Sequence, residues 1–409
     1  MNETVQNYGG GRGLLTILSL CSFFIGLDSL VVSPLIPQIL NLTNTSLEQG
    51  GLLITAYALF YGLTAPLFGP ISDKVGRKSM IVTGMLIFSI GTFFTGISND
   101  FDTILVFRAV TGISGAIVMP SIFALVGDKF SDKERGKAMG KVMGAMIGST
   151  VLGVPIGAFI SELVNWQMTF RVIGFIAFLV FFITLIGLPK TRPQNQISVS
   201  PIKTYFGQFK TAFTNPSVLY ALLTTLLWTI GLHTMFAYIG VFYNEKFNLS
   251  AGGIGIVIFI AGLASVIGNI LGGKWSDKIG KKKVVYFASL LSAVFVLIFS
   301  SLTVNLVLTV LMHVLWSTSI GVGQSSLTTL ISQLSPKVRG TVMSLNSSAM
   351  YLGMTIASGS ASLILVDFTF LALGVLCAVS ATLVLPVIRK IIITENTSGN
   401  PPEVLSKVL

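Results

Sequence analysis

Apolar residues in this chain come in runs of about 20 to 27, broken by short polar connectors, and the pattern holds from one end to the other. Twelve such segments are read at 14–40, 47–69, 79–98, 103–127, 137–161, 170–189, 218–243, 251–273, 283–302, 305–330, 340–365 and 367–388. At a rise of 1.5 Å per residue, about 20 residues cross a ~30 Å hydrocarbon core. Backbone N–H and C=O groups cannot be left bare in lipid, and barrel strands would be about half as long and alternating. Each run is therefore expected to be a helix. The predicted fold is an all-α polytopic membrane protein of twelve transmembrane helices.

The polar connectors carry a repeat. Gly69-Pro-Ile-Ser-Asp73-Lys-Val-Gly76-Arg77-Lys78 returns as Gly273-Lys-Trp-Ser-Asp277-Lys-Ile-Gly280-Lys281-Lys282, 204 residues later. Ser131-Asp-Lys-Glu-Arg135-Gly136 returns at the same offset as Ser335-Pro-Lys-Val-Arg339-Gly340. Two matches in one register imply a duplicated half, far longer than a solenoid repeat of about 20–50 residues. The expected organisation is two pseudo-symmetric six-helix lobes, 14–189 and 218–390, joined by a linker at 190–217 and followed by a disordered tail at 391–409. Within the linker, Lys203–Phe213 reads either as a short amphipathic helix on the membrane surface or as flexible chain.

Composition fits the pattern. Apolar residues make up 52% and charged residues only 10%, against about 25% charged in soluble domains. Placement gives the net charge of +11 its meaning. With loops assigned alternately, 23 of the 26 Lys and Arg fall on the side of the termini; Arg171 and Lys246 fall on the other, and Arg108 lies within a span. By the positive-inside rule both termini are expected in the cytoplasm, and the basic excess answers to anionic lipid, with no nucleic-acid partner. The two cysteines, Cys21 and Cys377, lie in predicted spans, which excludes a disulfide framework. The first apolar segment is too long for the core of a cleaved signal and is read as a span.

Well inside the segments stand four ionisable residues: Asp28, Arg108, His233 and His313. They fall on segments 1, 4, 7 and 10, the first helix of each three-helix unit, at depths of about 20 Å. Charges persist in a bilayer mainly where they serve a pathway, and repeat interfaces are where transporters place their sites. For Asp28 and Arg108 two readings stand: a static bridge between two helices, and a titrating acid whose pKa is pulled up by burial and down by the arginine. Each histidine reads as a packed residue or as a proton or ligand site. Segment 5 carries Gly148, Gly153, Pro155 and Gly157, small residues that admit a neighbouring helix and a proline that bends its own.

Taken together these residues resemble the major facilitator superfamily, and within it the twelve-span drug:proton antiporter branch. The loop at Gly69, Asp73, Gly76, Arg77 and Lys78 is similar to the superfamily's signature loop, with Asp277, Gly280 and Lys281 as its second copy. Arg108-x-x-x-Gly112 resembles the branch's helix-4 motif, whose arginine is linked to proton coupling, and Gly153-Val-Pro155-Ile-Gly157 its helix-5 antiporter motif, without the adjacent Gly-Pro and Gly-Gly pairs. The resemblance implies that the loop, with Asp128 at the end of helix 4, latches the lobes when the cavity opens outward. It implies a plasma-membrane transporter of bacterial type, driven by the proton gradient with no cofactor or metal, acting as a monomer on a small-molecule substrate and not as an enzyme.

Export of small amphipathic compounds by alternating access is the leading expectation. Export of a specific metabolite such as a sugar or purine nucleoside, and proton-coupled uptake, are the alternatives. Tyr57, Tyr61, Trp228, His233, Phe236, Met312, His313 and Trp316 are the expected cavity residues, because soft and aromatic walls suit varied ligands. At the repeat offset Asp28 corresponds to Leu232 and Arg108 to Met312. The proton chemistry is therefore expected in the first lobe and the substrate pocket mainly in the second.

Overall fold

The computed structural model describes residues 11–189, 207, 209–302, 305–335 and 339–392, with the backbone alone at 11, 69–70, 73–74, 132–133, 136 and 339–340. Most of the expected linker and nearly all of the expected tail lie outside these residues. At the linker's end, 209–213 are helical.

Among the described residues, twelve helices are long and apolar enough to cross a membrane. They are α1 (Arg12–Thr43), α2 (Leu47–Phe68), α3 (Arg77–Thr95), α4 (Phe101–Lys129), α5 (Lys137–Leu163), α6 (Trp166–Gly187), α7 (Pro216–Phe247), α8 (Ala251–Ile279), α9 (Lys281–Ser301), α10 (Leu306–Gln333), α11 (Thr341–Asp367) and α12 (Phe370–Arg389). With twelve crossings the start of α1 and the end of α12 share one face, called here the terminal face; the other is the distal face. The helix of α2 continues to Val75 and α8 ends at Ile279, both several residues past their apolar runs. Their last turns are made of the signature-loop residues, which stay helical until a glycine ends them.

Packing follows the repeat. In the first half α2 lies on α4, α3 on α4 and α6, and α1 on α5 and α6. The same pairs recur six helices on: α8 on α10, α9 on α10 and α12, and α7 on α11 and α12. The backbone repeats as closely. The described positive-φ residues are Gly76 (98°) and Gly280 (91°), then Asn44 (50°) and Asn248 (52°), each pair 204 positions apart. Gly76 and Gly280 join α2 to α3 and α8 to α9 in a conformation that a Cβ disfavours, which accounts for the repeated glycine of the loop. Asn44 and Asn248 end α1 and α7 in the left-handed region that asparagine tolerates.

On the distal face, side-chain caps start the descending helices. Asp100 accepts the Thr103 N–H at 2.8 Å, Asn165 that of Met168 at 2.8 Å, Ser250 that of Gly253 at 3.2 Å and Asn305 that of Leu308 at 3.0 Å. Each satisfies one of the orphan donors of a helix start. The Asp100 carboxyl is held below the usual range, first by the Thr103 side chain. The π-helical turn Ser149–Gly153 interrupts α5 just before Pro155, which has no N–H to give to Val151.

Candidate functional site

Asp28 and Arg108 meet. Arg108 Nη1 donates to Asp28 Oδ2 at 2.7 Å and to the Asp28 carbonyl at 3.1 Å, and both side chains are fully buried. Thr92 of α3 donates to the other carboxylate oxygen at 3.2 Å, and Arg108 Nε donates to the Leu53 carbonyl of α2 at 3.2 Å. The Tyr57 ring lies 4.8 Å from the Arg108 guanidinium carbon, a cation–π contact. Four helices of the first half thus converge on one charge pair. Arg108 Nη2 is buried and makes no hydrogen bond among the described residues.

The charge pair belongs to the first half alone, and the expected cavity residues of the second half make other contacts. His313 is buried inside the second half, its Nδ1 3.2 Å from Tyr243 Oη and its ring 5.1 Å from Phe299. Trp316 is buried beside it and donates to Ser292 at 3.1 Å. Both therefore pack α10 against neighbouring helices of the second half. Trp228 packs so tightly on Gly323 of α10 that a Cβ there would run into the indole ring. His233 is half-buried with Phe236 as its ring neighbour at 5.9 Å, and Met312 is half-buried too. Tyr57 and Tyr61 are buried where the halves meet.

At the terminal face Arg77 Nε pairs with Asp128 at 3.2 Å and Arg77 Nη1 donates to Ser72 at 3.0 Å. Both ends of the Arg77–Asp128 pair belong to the first half, so it ties the end of α4 to the α2–α3 turn. The Asp73 side chain lies outside the described residues, Asp277 is exposed and Lys281 half-buried. The lysines have a second role that charge counting missed. Lys78 Nζ donates to the Leu188 carbonyl at 2.6 Å, and Lys282 Nζ to the Ile391 carbonyl. Each caps the sixth helix of its own half, where a cation is favoured by unpaired carbonyls.

The glycines of α5 form a track for α1. A Cβ on Gly153 would meet Leu27 at 2.8 Å and one on Gly157 would meet Val31 at 2.5 Å, whereas Gly148 has open space. Pro155 instead faces the second half, 3.3 Å from the Cβ position of Gly255 on α8.

Sequence reading missed the contacts that join the halves. Tyr238, where α7 breaks, accepts from the Gly51 N–H at 2.8 Å, donates to the Glu48 carbonyl at 2.8 Å and lies 3.0 Å from Ser362 Oγ. Thr55 and Ser358 are hydrogen-bonded at 2.7 Å, and Ser33 donates to the Phe236 carbonyl at 2.7 Å. Tyr61 stacks on Tyr351 with ring centroids 3.6 Å apart. Glu162, at the end of α5, accepts from the Gly252 N–H and from Ser250 Oγ, across to the first turn of α8. Each of these hydrogen bonds lies toward the distal face. The one available signal was the repeat: Gly51 and Gly255, 204 apart, each sit in the first turns of a helix that meets the other half.

The comparisons agree with this architecture. An uncharacterised MFS-type transporter, YceJ of Bacillus subtilis strain 168, is 29% identical over 341 residues, 83% of this chain and 86% of its own. Multidrug resistance protein 1 of the same organism is 29% identical over 259 residues, 63% of this chain and 65% of its own. Among solved structures, a bacterial homologue of the human lysosomal transporter Spinster superposes with a TM-score of 0.70 at 16% identity, covering 94% of this chain and 95% of that one, a likeness of fold. The family model described as Major Facilitator Superfamily matches residues 18–358 and 239–399. Twelve spans, a duplicated half and a match along nearly the whole length lead to one assignment: the chain belongs to the major facilitator superfamily of membrane transporters.

Proposed function

We propose that this transporter exports small amphipathic compounds in exchange for protons, by alternating access, with Asp28 as the proton-carrying group. The observation that carries this reading is the fully buried Asp28–Arg108 pair. Replacing such a pair with packed apolar groups is commonly neutral or stabilising, so stability alone gives little reason to keep it. Ionisable groups that persist at such depth mark substrate or ion pathways by default. The multidrug resistance relative supports an efflux role.

The basic residues of the terminal face support a cytoplasmic location for it, in a bacterial-type plasma membrane. In that orientation the halves are joined on the outside, which is the state from which an exporter loads substrate. The two halves of one chain supply both walls of the path, so a monomer suffices. Protonation of Asp28 from outside and its release inside would then alternate with substrate movement in the opposite sense.

Everted vesicles and a fluorescent cationic dye test the reading. Native protein is expected to accumulate dye and to collapse an imposed acid-inside gradient, and Asp28→Asn to lose both while still binding dye. Undiminished gradient-driven transport by Asp28→Asn would remove Asp28 from the coupling step.

A further inference from the structure

The charge pair is enclosed within the first half, yet alternating access requires its protonation state to reach the contacts between halves. One route is built from side chains. Arg108 holds α2 at two points, the Leu53 carbonyl and the face of the Tyr57 ring. The Tyr57 ring is 6.2 Å from Tyr61 on the same helix and 6.2 Å from Tyr351 on α11. Tyr61 and Tyr351 stack across the boundary at 3.6 Å. All three tyrosines are buried. Leu53 stands one turn from Tyr57 toward the distal face, and between the two Thr55 bonds Ser358, again on α11.

We infer that Tyr57 and Tyr351 pass the protonation state of Asp28 to the contact between α2 and α11, which makes Tyr351 a positioning residue for coupling although its half carries no such charge pair among the described residues. The inference rests on the proton-coupling reading above. With Asp28 ionised, Arg108 is anchored on the carboxylate and offers the Tyr57 ring a fixed cation. A proton on Asp28 removes the charge that holds Arg108 Nη1. The guanidinium is then free to change its grip on Leu53 and Tyr57, and α2 carries Tyr61 with it against Tyr351. Stacked rings have a defined offset geometry, so the displacement is felt across the boundary.

Few other groups bear on Asp28. Among the described residues, the charged or titratable ones facing it are Arg108 from α4 and Tyr57 from α2; Thr92 from α3 carries no charge, nor do Ser149 and Met146 from α5, which pack against Gly26 two residues away. Nor is the arrangement a consequence of the repeat. At the equivalent positions of the other boundary stand Ala261 for Tyr57, Ser265 for Tyr61, Met312 for Arg108 and Ile147 for Tyr351. The relay exists on one side of the molecule.

The test uses the full chain in lipid nanodiscs, with Cys21 and Cys377 replaced by serine and spin labels on the distal face at Leu163 and Phe368, both exposed. Asp28→Asn, which mimics the protonated acid, is expected to shift the distance between labels and abolish its dependence on pH. In a Tyr351→Ala background the same substitution is expected to produce no further shift, whereas Tyr351→Phe, which keeps the ring, preserves it. Tyr61→Leu breaks the stack from the other helix and is expected to uncouple in the same way. An undiminished Asp28→Asn shift in Tyr351→Ala or Tyr61→Leu overturns the relay and leaves proton coupling standing. Absence of any shift from Asp28→Asn in the native background overturns both.

Discussion

Two of the boundaries between the halves, α2 with α11 and α5 with α8, are counterparts in the repeat. Gly51 corresponds to Gly255, Ser358 to Val154 and Ser362 to Ala158. The first boundary is polar and aromatic. A Cβ on Gly51 would collide with Ser362 Oγ and come within 2.5 Å of the Ser358 carbonyl, and Thr55, Tyr238 and the tyrosine stack add directional contacts. The second is apolar along its middle: Gly255 rests on Ala158 and Pro155, Gly262 on Val151, and a cleft of about 250 Å³ lined by Leu152, Pro155, Ile156, Phe159, Ile256 and Phe259 opens beside them. Its hydrogen bonds come at the distal end, from Glu162. Hydrogen bonds and stacked rings fix a register, whereas apolar contact tolerates sliding. One boundary therefore sets the position of the halves, and the other accommodates their movement.

This contrast can be broken at several points. The largest effect is expected from Arg108→Gln, which leaves Asp28 as an unpaired buried charge behind the polar boundary and costs about 3–5 kcal/mol. Its repeat counterpart Met312→Leu conserves volume and is expected to cost less than about 1.5 kcal/mol. Thermal unfolding of the two purified variants measures the difference. Next, Gly51→Val is expected to disfavour the distal-closed state by about 1–3 kcal/mol through overpacking. Gly255→Val, whose Cβ has its nearest neighbour at 3.0 Å, is expected to do less. Labelling of a distal cysteine by a water-soluble maleimide reports both, and equal labelling would erase the distinction between the boundaries.

Removing single hydrogen bonds sharpens the comparison. Thr55→Val is expected to weaken distal closure by about 1 kcal/mol, the ordinary net worth of such a bond, and Ser358→Ala by a similar amount. Because the two hydroxyls bond each other, the double variant is expected to cost little more than either alone. The smallest effect is expected from Glu162→Gln. It removes a charge from the first turn of α8 at an exposed site, worth about 0.3–1 kcal/mol and diminishing with salt. Maleimide labelling at low and high ionic strength reads that screening.

Much of this was legible beforehand, for identifiable reasons. The spans were, because a run of 20 or more apolar residues has few alternatives. The Asp28–Arg108 pair was, because a buried charge demands a partner and only one cation stood in a span. Helix rotation was not. Where every face of a helix is apolar, residue type does not say which side turns inward, so His313 and Trp316, expected in a cavity, instead pack the interior of the second half. The boundary contacts were equally hidden. Ser33 bonds a main-chain carbonyl 203 residues away, and Gly240 approaches the Ser33 carbonyl that Pro37 leaves without its helical donor. Backbone partners of that kind leave no trace in residue type.

The lysine caps carry a consequence for how the chain is made. Lys78 must wait 110 residues for the Leu188 carbonyl, and Lys282 waits 109 for that of Ile391. Each bond is closed by the last helix of its own half, so the first six helices can tie off their ends while the rest of the chain is still being synthesised. The bonds from Gly51 to Tyr238, from Ser33 to Phe236 and from Thr55 to Ser358 span 187 residues or more and form only afterwards. Assembly in the membrane thus has a natural order, two closed units first and their docking second.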